Sequence, residues 1–301
     1  MIFEERREWG KRMNLFLTSS VSHLQKSFKR HGFDLGRVES YAFADGECGY
    51  RLGKSVEGEP VGLIGSILPG PQSFFDLMAL HHIIRENGAR ETTLVVPYLG
   101  YARQDRPSRP GEGSIGIMVF ELLQKLKPSQ LLLIDIHSDF IRKAFEPPVR
   151  ELSALPLFAK ALSKRPPDVV VSPDGGYLSR ARQLAALFDP RPDVAVIDKV
   201  RPRPNVAIAK KLHGNVRGKE VVLLDDIIDT GRTLAEAVKL VFREGARKVR
   251  LAATHGIFSA DGRKRLSRLP VDEILVTNTL PQIRFSKIQI LDIVPLIKNA
   301  L

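Results

Sequence analysis

Cysteine, tryptophan and long apolar runs are nearly missing from this 301-residue chain. Cys48 is the only cysteine, which excludes an internal disulfide and any cysteine-cluster metal site. The longest apolar stretches, such as residues 131–134, are far short of the ~20 residues needed to cross a bilayer. The chain opens Met-Ile-Phe-Glu-Glu-Arg-Arg-Glu, with no apolar segment and with early acids, so we expect neither a secretory signal nor a mitochondrial transit peptide. We therefore expect a cytoplasmic protein with no membrane partner.

Basic residues outnumber acidic ones, since 46 Lys and Arg against 34 Asp and Glu give a net charge of +12. A nucleic acid, a phosphorylated small molecule or simply a solvated basic surface would each account for this excess. Because no aromatic-rich basic stripe is visible, we expect no nucleic-acid partner. Hydrophobic residues make up 43% and charged residues 27% of the chain, which is typical of a globular protein and excludes a disordered one.

Short apolar runs alternate with longer amphipathic stretches along the whole chain. The predicted strands are residues 15–18, 61–67, 93–97, 131–136, 169–172, 194–197, 220–224, 249–253 and 273–277. The predicted helices are residues 21–31, 74–87, 115–126, 155–162, 177–187 and 233–244. This alternation predicts an α/β protein with mainly parallel sheets and crossover helices. A proline-containing segment near residues 147–153 predicts two domains, 1–152 and 153–301.

The strongest signal is an apolar strand, two acids and a hydroxyl-rich turn before a helix: Val221-Val222-Leu223-Leu224-Asp225-Asp226-Ile227-Ile228-Asp229-Thr230-Gly231-Arg232-Thr233. Alternation along the strand aims Asp225 and Asp226 in opposite directions, so they do not form one carboxylate pair. The turn at 229–233 places backbone N–H groups and hydroxyls at a helix N-terminus, where a phosphate is stabilised. The alternative is a capped turn with solvated acids.

This segment resembles the phosphoribosyl-diphosphate (PRPP) motif of type I phosphoribosyltransferases and of their relative, ribose-phosphate pyrophosphokinase. The resemblance implies two tandem phosphoribosyltransferase-like domains, with Asp225 and Asp226 at the ribose hydroxyls. It also implies that the 5-phosphate of ribose 5-phosphate is held by Asp229, Thr230, Gly231 and Thr233. Arg232 stands where the family usually has a small residue, and we expect it to point to solvent.

A second loop follows the apolar strand at 93–97, with the sequence Tyr98-Leu99-Gly100-Tyr101-Ala102-Arg103-Gln104-Asp105-Arg106. Two arginines, an amide and an acid at a strand end suit a polyanion, or equally a surface salt-bridge cluster. The whole string resembles the ATP-binding segment of ribose-phosphate pyrophosphokinase. This resemblance implies that Arg103 and Gln104 bind ATP.

The segment Phe43-Ala44-Asp45-Gly46-Glu47 resembles the adenine-binding hairpin of the same family. Phe43 would stack on the base, with Asp45 and Glu47 near its polar edge, whereas Phe43 taken alone would be interpreted as a core aromatic. In the family this hairpin reaches a neighbouring subunit. The resemblance therefore implies a homo-oligomer built from dimers, such as a hexamer.

Two further strand ends carry polar residues, namely Asp135-Ile136-His137 and Ser172-Pro173-Asp174. A lone histidine is usually structural, and Mg²⁺ prefers oxygen ligands. The resemblance nevertheless implies that His137 and Asp174 lie beside Mg²⁺-ATP, that His137 also contacts ATP and that Arg180 lies near the substrates. Tyr177 occupies a position where the family commonly has glycine.

Lys199, Arg201 and Arg203 follow the predicted strand at 194–197, and Pro202 and Pro204 favour extended chain there. Extended chain puts the three cations on one side, which suits charge neutralisation in phosphoryl transfer. An exposed basic loop is the alternative. The resemblance implies that Lys199 and Arg201 stabilise the transition state on a flexible loop.

The stretch 107–117 departs most from the family, because Gly111, Gly113 and Gly116 are expected to loosen it and Ile117 replaces a common lysine. The expected activity is transfer of the β,γ-diphosphoryl group of Mg²⁺-ATP to O1 of ribose 5-phosphate, giving PRPP and AMP. The alternatives are a non-catalytic regulatory homologue, a phosphoribosyltransferase and a nucleic-acid-binding regulator on the same fold.

Overall fold

The computed structural model describes residues 13–144, 148–203 and 206–301, with the backbone alone for 199–203 and 206–210. The described chain forms two compact units. One unit runs up to Leu152 and also includes Val294–Leu301, and the other is Ser153–Ile293.

The first unit contains a parallel sheet, a hairpin and helices. In chain order its elements are β1 Asn14–Leu17, a 3-10 helix Ser19–Leu24, α1 Gln25–Arg30, β2 Leu35–Gly36, β3 Val38–Ala42, β4 Cys48–Leu52, β5 Pro60–Ile64, α2 Gln72–Glu86, β6 Glu91–Val96, α3 Ile115–Lys125, β7 Gln130–Ile134, α4 Asp139–Lys143 and β8 Val149–Leu152. Six parallel strands form the sheet in the order β2-β1-β5-β6-β7-β8, while β3 and β4 form a separate antiparallel hairpin. All residues of β5 are buried, which is typical of a strand covered on both faces.

The second unit contains a sheet of seven strands. Its elements are α5 Leu155–Leu162, β9 Val169–Ser172, α6 Leu178–Ala185, β10 Asp193–Arg203, β11 Val206–His213, β12 Glu220–Ile228, α7 Arg232–Arg243, β13 Lys248–Gly256, α8 Gly262–Ser267, β14 Glu273–Thr277 and β15 Ile288–Leu291. The strand order is β11-β10-β9-β12-β13-β14-β15, and β11 alone among these runs antiparallel to its neighbour.

Strand β12 lies between two hydrophobic cores. Val221 and Leu223 belong to the core that includes residues of α7, whereas Val222 and Leu224 belong to the core that includes residues of α5 and α6. Alternate residues therefore face helices on opposite sides of the sheet. Both sheets are mainly parallel and flanked by helices, which confirms the predicted α/β class.

Two strands are longer than the apolar pattern predicts. β12 continues beyond residue 224 to Ile228, because its backbone stays paired with β13 as far as Gly256. Asp225 and Asp226 consequently lie within the strand rather than after it. β10 likewise continues beyond residue 197, because its backbone pairs with β11 as far as Arg203.

The last helix, α9 Val294–Lys298, belongs to the first unit, although the sequence-based division placed residues 153–301 in the second. Val294 and Ile297 are buried there. Lys298 Nζ donates to the carbonyl oxygen of His31 at 2.7 Å and lies 5.7 Å from the ring centroid of Phe33. Contacts made far from the cut in sequence thus assign this helix. No helix in the described ranges is long and apolar enough to cross a membrane.

Candidate active site

The turn between β12 and α7 has the backbone geometry of a helix start that suits an anion. Gly231 precedes α7 with a φ of +68°, a conformation that glycine adopts without steric cost. The first hydrogen bond into the helix runs from the Ala235 N–H to the Gly231 carbonyl at 2.9 Å. The backbone N–H groups before Ala235 therefore lie in the first turn, where a phosphate is stabilised by the helix dipole. Thr233 is half-buried and Arg232 is exposed in this turn.

Two acids stand at the carboxyl end of β12, where a parallel sheet presents its ligand-binding edge. Asp225 is half-buried, and Asp226 is 6% exposed. The regular pairing of Asp225 with Ala253 and of Ile227 with His255 keeps the alternation, so the two side chains point to opposite faces. Asp225 Oδ1 accepts the N–H of Asp226 at 3.0 Å, and Asp226 Oδ1 accepts that of Ile227 at 2.8 Å.

Residues 259–266 support the turn at residues 229–233, which we name the phosphate turn after its predicted ligand. No motif in the sequence indicated this support. The Ser259 hydroxyl donates to the Asp229 carboxylate, and the Arg265 guanidinium donates to the Thr230 carbonyl. Gly262 packs so closely that a Cβ there would lie 2.6 Å from the Asp229 carbonyl oxygen. We name residues 259–266 the support segment. Basic side chains after a strand are the signal that could have pointed to it.

Strand β9 ends beside β12. The loop that joins β9 to α6 contains Asp174, the predicted metal ligand. Asp174 is half-buried, and its Oδ1 accepts the N–H of Tyr177 at 3.2 Å. Tyr177 packs against the hydrophobic core that α5 and α6 share, which accounts for a large side chain at this position. Arg180 lies on α6, and its Nη1 donates to Gln183 Oε1 at 3.4 Å.

The predicted catalytic pair Lys199 and Arg201 lies in β10, whereas the sequence predicted a loop. Their side chains lie outside the described part of the chain. The antiparallel pairing of β10 with β11 has register shifts between Asp198 and Lys199 and between Val200 and Arg203. Because a register shift interrupts strict alternation, the prediction that three cations share one side does not follow from extended chain alone.

In the first unit, the loop after β6 carries Arg103 and Gln104, both exposed. Tyr101 has a φ of +66°, and its carbonyl accepts the N–H of Gln104 at 2.8 Å. The Gln104 carbonyl in turn accepts the N–H of Gly116 at 3.0 Å. A Cβ on Gly116 would lie 2.6 Å from the Tyr101 carbonyl oxygen, so this glycine permits tight packing. The interpretation of Gly116 as a loosening residue is therefore wrong.

His137 follows the adjacent strand β7 and is exposed, between the buried residues Ile136 and Ser138. The Ser138 hydroxyl donates to Asp105 Oδ2 at 2.7 Å. This bond joins the loop after β7 to the loop that carries Arg103 and Gln104. The structure thus brings together three of the six predicted ATP contacts at one edge of the first sheet.

The other three predicted ATP contacts lie on the tip of the β3–β4 hairpin. Phe43 is 55% exposed, so it is not a core residue, and its ring lies edge-to-face with Tyr41 at 5.4 Å. Asp45 Oδ1 accepts the N–H of Glu47 at 3.0 Å and so shapes the turn. An exposed aromatic beside exposed carboxylates can stack on a base and accept from its amino group.

A buried acid anchors this hairpin, and it belongs to none of the motifs in the sequence. Asp76 on α2 is 7% exposed and accepts from the hydroxyl of Tyr50 on β4 at 2.5 Å. Gln72 donates to the same oxygen at 2.6 Å, and Ser19 donates to the other at 3.1 Å. Burial and the neighbouring carboxylate raise the pKa of Tyr50 above its usual value, so the phenol stays a donor.

The Asp174 carboxylate could serve as an oxygen ligand for a magnesium ion. Mg²⁺ prefers such ligands and usually keeps several waters and substrate phosphates as its other ligands. His137, the other predicted metal contact, lies in the first unit and is exposed. In the part of the chain that the structure describes, no group of three or more His, Cys, Asp or Glu side chains is arranged to hold a metal.

Comparisons with known proteins show what this chain is similar to. Residues 13–126 match the N-terminal domain of ribose phosphate pyrophosphokinase, and residues 188–301 match the phosphoribosyl synthetase-associated domain. The chain is 36% identical to the ribose-phosphate pyrophosphokinase of Aquifex aeolicus, over 86% of this chain and 85% of that one. It is 38% identical to that of a Nostoc species, over 90% of this chain and 83% of the relative.

A solved structure also matches. The phosphoribosylpyrophosphate synthetase of Mycobacterium smegmatis superposes with a TM-score of 0.85 at 31% identity, covering 96% of this chain and 97% of the other. The similarity spans both units and most of each relative's length. The chain therefore belongs to the ribose-phosphate pyrophosphokinase family.

Proposed function

We propose that this enzyme of PRPP synthesis transfers the β,γ-diphosphoryl group of Mg²⁺-ATP to O1 of ribose 5-phosphate. The oxygen on C1 attacks the β-phosphorus, the bond from that phosphorus to the oxygen bridging the α- and β-phosphates breaks, and AMP leaves. The hydroxyl proton passes to solvent. Family membership supports PRPP synthesis, and we propose Mg²⁺-ATP as the donor.

The observation that carries the proposal is the phosphate turn of the second unit. Gly231 in the left-handed conformation, the first turn of α7 and the hydroxyl of Thr233 together suit a monoester phosphate. Asp225, at the end of the same strand, suits hydrogen bonding to ribose hydroxyls, and Asp226 lies beside it on the other face. We assign Asp229, Thr230, Gly231 and Thr233 to the 5-phosphate, because the turn presents the groups that bind it.

We assign the nucleotide to residues of the first unit. Phe43 would stack on the base, and Asp45 and Glu47 would accept from its polar edge. Arg103 and Gln104 would bind the phosphate chain, because a guanidinium forms paired charge-assisted hydrogen bonds with phosphate oxygens. His137 would contact the same phosphates. This division gives residues up to 152 the donor and the second unit the acceptor.

Lys199 and Arg201 would neutralise charge on the transferring diphosphoryl group. Little covalent chemistry is asked of the protein in such a step, so positioning and charge stabilisation supply most of the rate. Arg180 would contribute a further positive charge near the substrates. Asp174 and His137 would hold Mg²⁺, which supplies neutralisation of phosphate charge when bound.

We also propose that the chain works as a homo-oligomer built from dimers.

The test is a product assay. The protein is incubated with ATP, Mg²⁺ and inorganic phosphate, with and without ribose 5-phosphate, and AMP and PRPP are measured by chromatography. AMP and PRPP in equal amounts, formed only when ribose 5-phosphate is present, are the expected result. A second incubation contains PRPP and a purine or pyrimidine base. Absence of AMP in the first mixture, together with release of diphosphate in the second, would identify a phosphoribosyltransferase instead. Sedimentation or light scattering of the same sample measures the oligomeric state.

A further inference from the structure

The carboxyl end of β7 is held in an unusual backbone conformation. Asp135 has a φ of +36°, a conformation that strains a residue with a side chain and persists only where neighbours hold it. The Asp135 N–H donates to the carbonyl of Leu152 on β8 at 3.1 Å. A specific set of contacts must therefore fix the chain just before His137.

One ion pair binds both polar groups of the next residue, Ile136. Glu151 Oε1 on β8 accepts the Ile136 N–H at 2.8 Å, and Arg142 Nη2 on α4 donates to the Ile136 carbonyl at 2.5 Å. Arg142 also donates to Glu151 at 2.7 Å through Nε and at 3.1 Å through Nη2. We name Arg142 and Glu151 the Ile136 clamp, because they form a closed ring of hydrogen bonds with that residue.

The residue after His137 is held just as firmly. Ser138 is 2% exposed, donates to Asp105 Oδ2 at 2.7 Å and accepts the Ile141 N–H at 3.0 Å as the cap of α4. Asp105 is adjacent in sequence to Gln104. His137 is therefore an exposed side chain between two fixed neighbours, one of which contacts the loop of the proposed phosphate-binding residues.

We propose that Ser138 and the Ile136 clamp are positioning residues, which fix His137 and align it with the loop of Arg103 and Gln104. The inference rests on the proposed function, because it takes those three side chains as nucleotide contacts. Buried polar groups with all partners in place specify one geometry, whereas loss of one partner frees the chain on that side. A displacement of about 1 Å at a binding group lowers catalytic efficiency by up to about 10²-fold.

The experiment compares Ser138→Ala with the conservative variant Ser138→Thr. The alanine variant loses the bond to Asp105, so its KM for ATP should rise about tenfold, while its KM for ribose 5-phosphate stays within about twofold of the original. The threonine variant keeps a hydroxyl and should restore the KM for ATP. Asp105→Ala removes the bond to Ser138 but keeps the cap of α4, so it should also raise the KM for ATP. The double variant should be no worse than Ser138→Ala, since both single variants remove the Ser138–Asp105 bond.

Arg150→Met is the matched control, because Arg150 is exposed on β8 beside Glu151 and losing its charge should leave both KM values unchanged. Asp105→Ala, in an exposed loop, provides a second variant if Ser138→Ala folds poorly. A purely stabilising role predicts a lower Tm with equal changes in both KM values, and that result would overturn the inference. So would an unchanged KM for ATP in a folded Ser138→Ala variant.

Failure of the proposed function is distinguishable. If the unmodified protein forms no AMP, the function is wrong, and titration calorimetry with Mg²⁺-ATP then tests the inference separately. A dissociation constant about tenfold higher for Ser138→Ala, restored in Ser138→Thr, would support positioning of a nucleotide site in either case. Equal dissociation constants in all three proteins would refute it.

Discussion

Replacing Gly262 with alanine should displace the phosphate turn while every residue assigned to the substrate keeps its own side chain. A Cβ at this position would lie 2.6 Å from the Asp229 carbonyl oxygen, whereas ordinary contacts begin at 3.4 Å. The difference, 3.4 − 2.6, requires a separation of about 0.8 Å between α8 and the turn. The opposing atom is backbone, so rotation of a side chain cannot relieve the clash.

The size of the effect follows from this displacement. A shift approaching 1 Å in a positioned group costs up to about 10²-fold in catalytic efficiency, and we expect a fall of about 10- to 100-fold in kcat/KM for ribose 5-phosphate. Overpacking also destabilises a protein by about 1–3 kcal/mol, which should lower Tm by several degrees and leave the fold intact at 25 °C. The KM for ATP should change little.

The assay measures AMP formation while one substrate is varied at saturating levels of the other. Gly113→Ala is the matched control, because a Cβ there would meet no atom within 4 Å. That variant should keep both KM values. A folded Gly262→Ala variant with an unchanged kcat/KM for ribose 5-phosphate would show that the support segment does not set the turn, and the reasoning from close packing would fail.

Four further outcomes can be measured. Lys199→Ala should lower kcat by about 10²–10³-fold with ATP affinity nearly intact, because its charge acts in the transition state, and a large loss of affinity at unchanged kcat would contradict this role. Thr230→Leu should raise the KM for ribose 5-phosphate sharply, and unaltered kinetics would show that the turn is misassigned. Tyr50→Phe should cost about 1–3 kcal/mol of stability and raise the KM for ATP several-fold, because the buried Asp76 loses one of its three donors. An unchanged KM would separate the anchor from nucleotide binding. Burial lowers the pKa of His81 to about 4, so the folded protein disfavours the charged imidazole. The free energy of unfolding is therefore unaffected by His81 above pH 6.5, and it falls by up to about 3 kcal/mol as the pH drops towards 4, because the unfolded chain binds the proton first. Urea titrations across that range should show a flatter profile in His81→Gln, and an equally steep one would exclude His81 as the cause.

The strands that the sequence predicts best are those buried on both faces. β9 and β14 begin and end where the apolar runs do, because a continuous apolar run has one stable place, inside a covered sheet. β8 carries Arg150 and Glu151 between its apolar ends, so it has no continuous apolar run and is not among the predicted strands. β12 extends past its apolar run, because the end of the strand is set by backbone pairing with β13 and not by the polarity of its side chains.

The residues of the candidate site also differ in how far the sequence predicts them. Residues assigned by motif lie in short strings that a sequence displays directly, and their roles stay predictions until the kinetics are measured. The residues that position them are separated from their partners by long stretches of chain: 30 residues part Ser259 from Asp229, and 33 part Ser138 from Asp105. No local pattern encodes these contacts, because each depends on which strand ends the sheet makes neighbours.

The two units use a common device with separate consequences. In each, a loop at the carboxyl edge of the sheet is fixed by a side chain from the loop after the next strand: Ser138 bonds to Asp105 in the first and Ser259 to Asp229 in the second. Since each bond lies inside one unit, loss of the first should weaken ATP binding and loss of the second should weaken ribose 5-phosphate binding. Combining Ser138→Ala with Ser259→Ala should then give additive losses in free energy, because sites without shared partners behave independently. A strongly non-additive result would mean that the two loops respond to each other, and the assignment of one substrate to each unit would have to be abandoned.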